Sequence, residues 1–309
     1  MMLKRVLLSM SICLVLALHG CLSKNKTVDF KGLKAINGTK LFINSFGSGS
    51  PLLVIHGGPG LSHDYFLPHL NELSKQHQLI LYDQRAAGRS SVEQIPDSMN
   101  LDTFIRDIEA IRQEFGLQKI NILSHSWGAL LATEYAIKYP GKVSALIYAG
   151  PVPMSQAYQQ QAEASAGSRM DDAFNAKRMA IMESEDFQNR TAKGIEALFM
   201  HNFSLTFSDT LALSQLKLNL NDNFIKGNQM LQRFTGLESY DYFSDISAFD
   251  MPVLIIRGEN DIHLKQADDQ MVSAMPNASL VNMPTGHFPF IEAKEAFIET
   301  VNEFLKAAR

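Results

Sequence analysis

Only two of the 309 residues are cysteines, Cys13 and Cys21, and only one, Trp127, is tryptophan. Two cysteines so close to the start cannot staple a small domain, nor can they supply a cysteine zinc site. Charge of one sign is never concentrated: the formal net charge is −4 at pH 7, with no basic stretch of the kind a nucleic-acid binder presents. No segment repeats at a fixed period and none is low in complexity, which excludes solenoids and biased linkers. The chain has one strongly apolar stretch, residues 6–18, which is too short to cross a bilayer comfortably. What remains is ordinary globular material, 46% hydrophobic and 19% charged, long enough for one large α/β domain or two small ones.

The apolar stretch has a recognisable setting. Met1-Met2-Leu3-Lys4-Arg5 is a basic start, and His19-Gly20-Cys21 closes the apolar run. Basic, apolar and then small is the pattern of a secretory signal. Leu18-His19-Gly20-Cys21 resembles a bacterial lipobox, in which the cysteine is lipidated and becomes the mature N-terminus. That resemblance implies a signal peptide over 1–20, a lipid on Cys21 and a short tether over 21–27. It also implies a cell-envelope address, at the outer membrane facing the periplasm because Leu22-Ser23 carries no aspartate of the inner-membrane kind. The alternative is plain secretion to the periplasm. After cleavage no internal disulfide is possible.

Beyond residue 28, short apolar runs end on glycine, proline or a polar residue: 52–55, 79–82, 120–123, 143–148 and 253–256, with a looser alternation at 41–44. Runs of this length read as strands buried on both faces, as in a parallel sheet. Residues 101–115 carry apolar side chains at helical spacing, and 129–139 and 293–305 are further candidates. Strands alternating with helices predict an α/β fold with a mostly parallel central sheet covered on both sides. From about 154 to 242 no buried strand is legible, and stretches such as 172–182 and 191–201 are helix-like. The expected organisation is a core over 28–150 and 245–309, interrupted by a helical cap over 151–244.

Ser124-His125-Ser126-Trp127-Gly128 stands between a strand and a helix. A turn there projects its middle residue, Ser126, while the positions two before and two after must be small because backbone passes close by. Ser126 then sits at a helix N-terminus, where backbone N–H groups favour developing negative charge. A serine hydroxyl needs a base, and the base needs an acid to orient it. Gly258-Glu259-Asn260-Asp261 follows one strand, and Thr285-Gly286-His287 follows the strand-like run 278–281. The order Ser126, Asp261, His287 is that of a strand–turn–helix serine triad. Glu259 is the rival acid; Asp261 is preferred for its place further along the loop. For the oxyanion, the backbone N–H of Trp127 is one donor, and the loop His56-Gly57-Gly58-Pro59-Gly60 offers Gly58 as the second. His125 is expected to point away from the site. His63, His69, His77, His201 and His263 lack the spacing of metal ligands and are expected to be packed or solvated, while His56 shapes its loop. No metal or organic cofactor is implied.

These residues carry a resemblance. The chain resembles the α/β-hydrolase superfamily over 28–309, and within it the proline iminopeptidase group. The resemblance rests on His56-Gly57-Gly58-Pro59-Gly60, Asp83-Gln84-Arg85-Ala86-Ala87-Gly88-Arg89-Ser90, Ser126-Trp127-Gly128 and Gly286-His287. Family members resemble one another in holding the substrate α-amino group with glutamates of the cap or beside the catalytic acid. Here Ile262 follows Asp261, and the cap carries Glu183, Glu185, Glu196 and Glu238.

The first functional expectation is therefore a serine hydrolase releasing N-terminal residues from short peptides. The second is the same machinery on small esters, lactones or acyl amides, with the Met- and Phe-rich cap facing an acyl group. A third is a lipid-anchored binding protein that has lost catalysis. The expected partners are a small-molecule or short-peptide substrate and, through Cys21, the membrane, with no nucleic acid; oligomeric state is not encoded legibly.

Overall fold

The computed structural model describes residues 29–93, 99–231, 236–237 and 239–308. The expected signal peptide 1–20 and tether 21–27, with Cys21, lie outside the described residues, as does Glu238. One eight-stranded sheet contains β1 (Phe30–Ile36), β2 (Thr39–Gly47), β3 (Ser50–Ile55), β4 (His77–Tyr82), β5 (Ile120–Ser126), β6 (Val143–Pro151), β7 (Val253–Gly258) and β8 (Ala278–Met283). Its order is β1-β2-β4-β3-β5-β6-β7-β8. The β1–β2 and β2–β4 pairs are antiparallel, and every pair from β4 onward is parallel. The fold is thus the mostly parallel α/β architecture expected, with an antiparallel edge.

Strand periodicity explains why the central strands read as unbroken apolar runs. Successive side chains point to opposite faces, and both faces are covered. Leu53, Ile55, Ile122, Val253 and Ile255 enter one buried cluster, while Leu52, Val54, Leu123, Leu254 and Ile256 enter the other. Each such side chain is worth about 1.5–3 kcal/mol on burial. The first cluster is closed by α1 (Leu101–Glu114) and α2 (Gly128–Lys138), which contribute Phe104, Ile108, Leu131 and Tyr135. Asn100 caps α1 by accepting from the Thr103 amide, and Asp102 lies in the first turn, where the helix dipole favours it.

Between β6 and β7 the chain forms α3 (Gln156–Ser168), α4 (Asp172–Glu183), α5 (Glu185–Gln188), α6 (Ala192–Phe203), α7 (Asp222–Leu231) and α8 (Phe243–Ile246). After β7 come α9 (Lys265–Ala274), α10 (Pro289–Glu292) and α11 (Lys294–Ala307). Phe297, Val301 and Leu305 of α11 close the second cluster. No helix among the described residues is long and apolar enough to cross a membrane.

Candidate active site

Parallel strands deliver their C-terminal ends to one edge of a sheet, and side chains placed just beyond those ends converge there. Ser126 ends β5, Asp261 follows β7 and His287 follows β8. At Ser126 the backbone turns sharply: φ is +53°, a left-handed conformation that a non-glycine residue adopts at a cost, and the β5–β6 register shifts between His125 and Ser126. Trp127 then leads directly into α2. The demand for small neighbours is quantitative. A Cβ on Gly128 would stand 2.6 Å from the Ile55 carbonyl oxygen and 2.8 Å from that of His56. Ser124, at the other small position, is buried and donates its hydroxyl to the Ile147 carbonyl at 3.2 Å.

His287 Nδ1 and Asp261 Oδ2 are 2.8 Å apart, both side chains buried. A carboxylate can only accept, so His287 carries its proton on Nδ1 and leaves Nε2 free to act as a base. Burial works to raise the Asp261 pKa, but the neighbouring imidazoles of His287 and His263 and the hydrogen bond from His287 overcome it, so the carboxyl lies well below its usual range. Gly150, at the end of β6, lies beneath this pair. A Cβ there would come within 3.1 Å of His287 Nδ1 and 3.3 Å of Asp261 Oδ2, so the close approach requires glycine. Among the described residues, no hydrogen bond is formed by the Ser126 hydroxyl. Such bonds in a substrate-free site tighten when substrate arrives.

The glycine loop lies against the serine: a Cβ on Gly57 would be 2.9 Å from Ser126 Cβ and 3.1 Å from the Tyr65 hydroxyl. Gly58 has φ +133°, which excludes other residues there. His125 turns away from solvent into a buried relay. The Gly57 amide donates to the Tyr65 hydroxyl, which therefore donates to His125 Nδ1 at 2.9 Å; His125 Nε2 donates to the His287 carbonyl at 2.9 Å. These directions fix one neutral tautomer of His125, and burial, then the charge of His287, holds its pKa well below the usual value. His125, the residue before Ser126, thus links the glycine loop to the backbone of His287.

The Asp83-Gln84-Arg85 stretch builds the surroundings. Gln84 Nε2 donates to the His56 carbonyl at 2.6 Å and its Oε1 accepts from Trp127 Nε1 at 3.1 Å, joining the glycine loop to the turn after Ser126. His56 is neutral, its pKa lowered to about 4 by burial, accepting from the Gln84 amide at Nε2 and donating to Gly57 O from Nδ1. Asp83 accepts from His63 Nδ1 at 2.6 Å and from the Arg89 amide at 2.8 Å, while Arg85 forms a buried two-point pair with Asp107 of α1.

The chain matches the alpha/beta hydrolase fold family over residues 50–294. The chain belongs to that family. The proline iminopeptidase of Lactobacillus delbrueckii subsp. lactis is 28% identical over 269 residues, covering 83% of this chain and 90% of its own. Among solved structures, the proline iminopeptidase of Mycobacterium smegmatis superposes with a TM-score of 0.65 at 18% identity, covering 90% of this chain and 98% of its own. An alpha/beta fold family hydrolase from Bacillus anthracis str. Sterne gives 0.70 at 20% identity, over 89% and 99%. At these identities the two structures speak for the fold.

Of the sequence-derived residues of this α/β hydrolase, Asp261 and His287 are brought into direct contact, and the glycine loop is brought against Ser126. Glu259 is exposed, apart from the pair. Gly150, Tyr65 and His125 were not legible as site residues, because their roles depend on partners distant in sequence. His263 was expected to be packed or solvated with no ligand partners. It is packed, 8% exposed at the side chain, with its ring centroid 4.9 Å from that of His287. The only sequence signal was its spacing two residues beyond the acid. Of the cap glutamates, Glu183 and Glu185 are exposed, and Glu196 accepts from the Leu220 amide at 2.9 Å.

Proposed function

We propose that this α/β hydrolase is a serine aminopeptidase of the proline iminopeptidase kind, releasing N-terminal residues from short peptides. The observation that carries the reading is the 2.8 Å Asp261–His287 contact, held at the strand edge where Ser126 is turned out at φ +53°. In this reading Ser126 Oγ attacks the carbonyl carbon of the first residue while His287 Nε2 takes the hydroxyl proton. Asp261 fixes the tautomer of His287 and stabilises the imidazolium that forms. The carbonyl oxygen becomes an oxyanion, held by the backbone N–H groups of Gly58 and Trp127 at the start of α2. Collapse breaks the amide bond, His287 returns the proton to the departing amine, and an acyl ester remains on Ser126. Water, deprotonated by His287, then releases the acid and restores the enzyme.

A second reading, hydrolysis of small esters or acyl amides, is favoured by a specific feature of the cap. Phe203 and Phe207 pack on Phe288, the residue after the base, with centroids 5.3 Å and 4.9 Å apart, so this side of the site is aromatic. A bound α-ammonium, by contrast, needs a carboxylate partner. Turnover of a prolyl arylamide and of a short nitrophenyl ester by the soluble form separates the two; ester turnover alone removes the peptidase reading. Fluorophosphonate labelling of the wild type, abolished in Ser126→Ala, is the expected result, and absence of labelling in folded wild type would leave only a binding role.

We also propose an envelope lipoprotein carrying its lipid on Cys21. Labelled palmitate incorporated by the wild type and not by Cys21→Ala supports this, and a mature protein without lipid refutes it.

A further inference from the structure

We propose that Asp261, His263 and His287 form an inhibitory site for a borderline-soft divalent cation, zinc in particular, which switches the hydrolase off by capturing its acid–base pair. For its inhibitory consequence the inference rests on the proposed serine-hydrolase reading; the cation binding itself does not.

One potential ligand atom from each of these residues lies within 4.8 Å of the other two. The decisive atom is His263 Nδ1, which is buried without a hydrogen-bond partner. The ring does interact with the backbone of Pro151, which has only a carbonyl to offer, so Nε2 carries the ring proton and Nδ1 presents a lone pair. That lone pair stands 3.7 Å from Asp261 Oδ1. Two acceptors therefore face one another across a gap. It is too long for a hydrogen bond, and too short for a bridging water, which would separate them by ~4.6 Å. A tetrahedral zinc ion bound to both would set them ~3.4 Å apart, only a few tenths of an ångström closer than they stand. Imidazole and carboxylate are the ligands this ion takes.

Metal ligands must be free of protons, and here little has to be removed. The His263 pKa is lowered to about 4, chiefly by burial, so the ring is neutral near pH 7. Asp261 is ionised there. The Asp261–His287 contact supplies the third donor. For His287 to bind through Nδ1, that nitrogen gives its proton to solvent while Nε2 takes one up, so the ring stays neutral. The new tautomer has N–H at Nε2 and can no longer accept the Ser126 proton. The ion also neutralises the carboxylate that would stabilise the imidazolium. Both effects act on the chemical step. A neutral His263 without metal leaves the triad in its working tautomer.

The test uses the full chain without its leader and lipid, in chelator-buffered zinc. Fluorophosphonate labelling of the wild type should slow as free zinc rises and recover on adding EDTA, with magnesium inert. In His263→Asn the zinc midpoint should rise at least ~10-fold, since even outer-shell partners of zinc sites are worth ~10–100-fold. His263→Gln serves if the first variant does not fold. Equilibrium dialysis of Ser126→Ala should find one zinc per chain, lost when His263 is also replaced. Wild-type labelling indifferent to zinc, or equal sensitivity in both folded variants, overturns the inference. If wild type is never labelled, the hydrolase reading fails; zinc still bound by Ser126→Ala and lost with His263 would keep the site.

Discussion

Removing one oxygen, in Tyr65→Phe, tests the buried relay that joins the glycine loop to His287. Tyr65 is 1% exposed, so the phenyl ring stays in place against Phe66, Phe288 and Phe290, and no cavity of consequence opens. Two buried groups lose their partner: the Gly57 amide, a donor, and His125 Nδ1, an acceptor 2.9 Å away. An unsatisfied buried group costs about 1–3 kcal/mol, so the pair together predicts a loss of about 2–6 kcal/mol. At about 2 °C per kcal/mol for a domain this size, the midpoint of thermal unfolding should fall by about 4–12 °C. Kinetics should change too, because the freed Gly57 peptide no longer fixes the orientation of the loop proposed to hold the oxyanion. A slower fluorophosphonate labelling rate, measured well below the unfolding transition, is expected, with substrate KM little altered because the loss falls on the transition state. A stability loss below about 0.5 kcal/mol together with an unchanged labelling rate would refute the relay, since no neutral tautomer of His125 could then depend on Tyr65.

Three further variants probe the same framework. Asp268, buried on α9, has its pKa raised to about 8, first by burial and then by the charge of Asp261. Between about pH 4 and 8 the folded chain keeps a proton that the unfolded chain releases, so this group erodes stability as pH rises. Asp268→Asn should therefore raise the urea midpoint at pH 8 by an amount worth about 1–4 kcal/mol and hardly at all at pH 4; a gain equal at both would refute the assignment. Gly128→Ala must push its Cβ against the Ile55 and His56 carbonyls and should cost about 1–3 kcal/mol or more, and an unaltered unfolding midpoint would show that α2 can shift freely. Glu292 Oε1 accepts from the Gly286 amide at 2.8 Å while Oε2 accepts from the Ser208 and Asp209 amides at 2.7 and 3.0 Å. Glu292→Gln turns one acceptor into a donor facing N–H groups, so stability should fall by about 1–3 kcal/mol and Ser126 labelling should slow, whereas Glu292→Gln with wild-type values for both would dismiss the clamp.

The parallel strands were legible because burial on both faces removes polar alternation: Leu52-Leu53-Val54-Ile55 and Leu79-Ile80-Leu81-Tyr82 leave nothing for solvent. β1 was not, because exposed Lys31, Leu33 and Ala35 alternate with half-buried Phe30, Gly32 and Lys34 on an antiparallel edge and no unbroken apolar run results. The residues that end strands could be picked out for the same reason, since a strand's last residue is fixed once the strand is. Residues that support them from elsewhere could not. His125 reads as a bystander until Tyr65 is found beneath it, and Gly150 reads as a strand stop until His287 is found above it. Asp83-Gln84-Arg85 announced a family; that Gln84 braces Trp127 and Arg85 anchors α1 follows only from packing. His263 was discounted on linear spacing, which cannot register His287, brought against it from a different loop.

The way the helices after β6 are fastened bears on how the site is controlled. Arg169, at the end of α3, donates to the carbonyls of Asn260 and Asp261 at 3.2 and 2.9 Å. Asn260 Nδ2 donates to Ser208 Oγ at 2.9 Å, and the Thr206 carbonyl accepts from the His287 amide at 2.7 Å. Glu292 adds its three amide contacts between residues 208–209 and Gly286. Among the described residues these bonds end on the acid loop and the base loop. Ser126, by contrast, is held by β5 and by the start of α2, inside the sheet framework. Movement of residues 206–209 would therefore disturb the Asp261–His287 pair before it disturbed Ser126. Phe203 and Phe207, packed on Phe288, and the Thr206 carbonyl together tie this segment to the loop that carries His287. The serine turn, with its left-handed φ at Ser126, lies instead between β5 and α2.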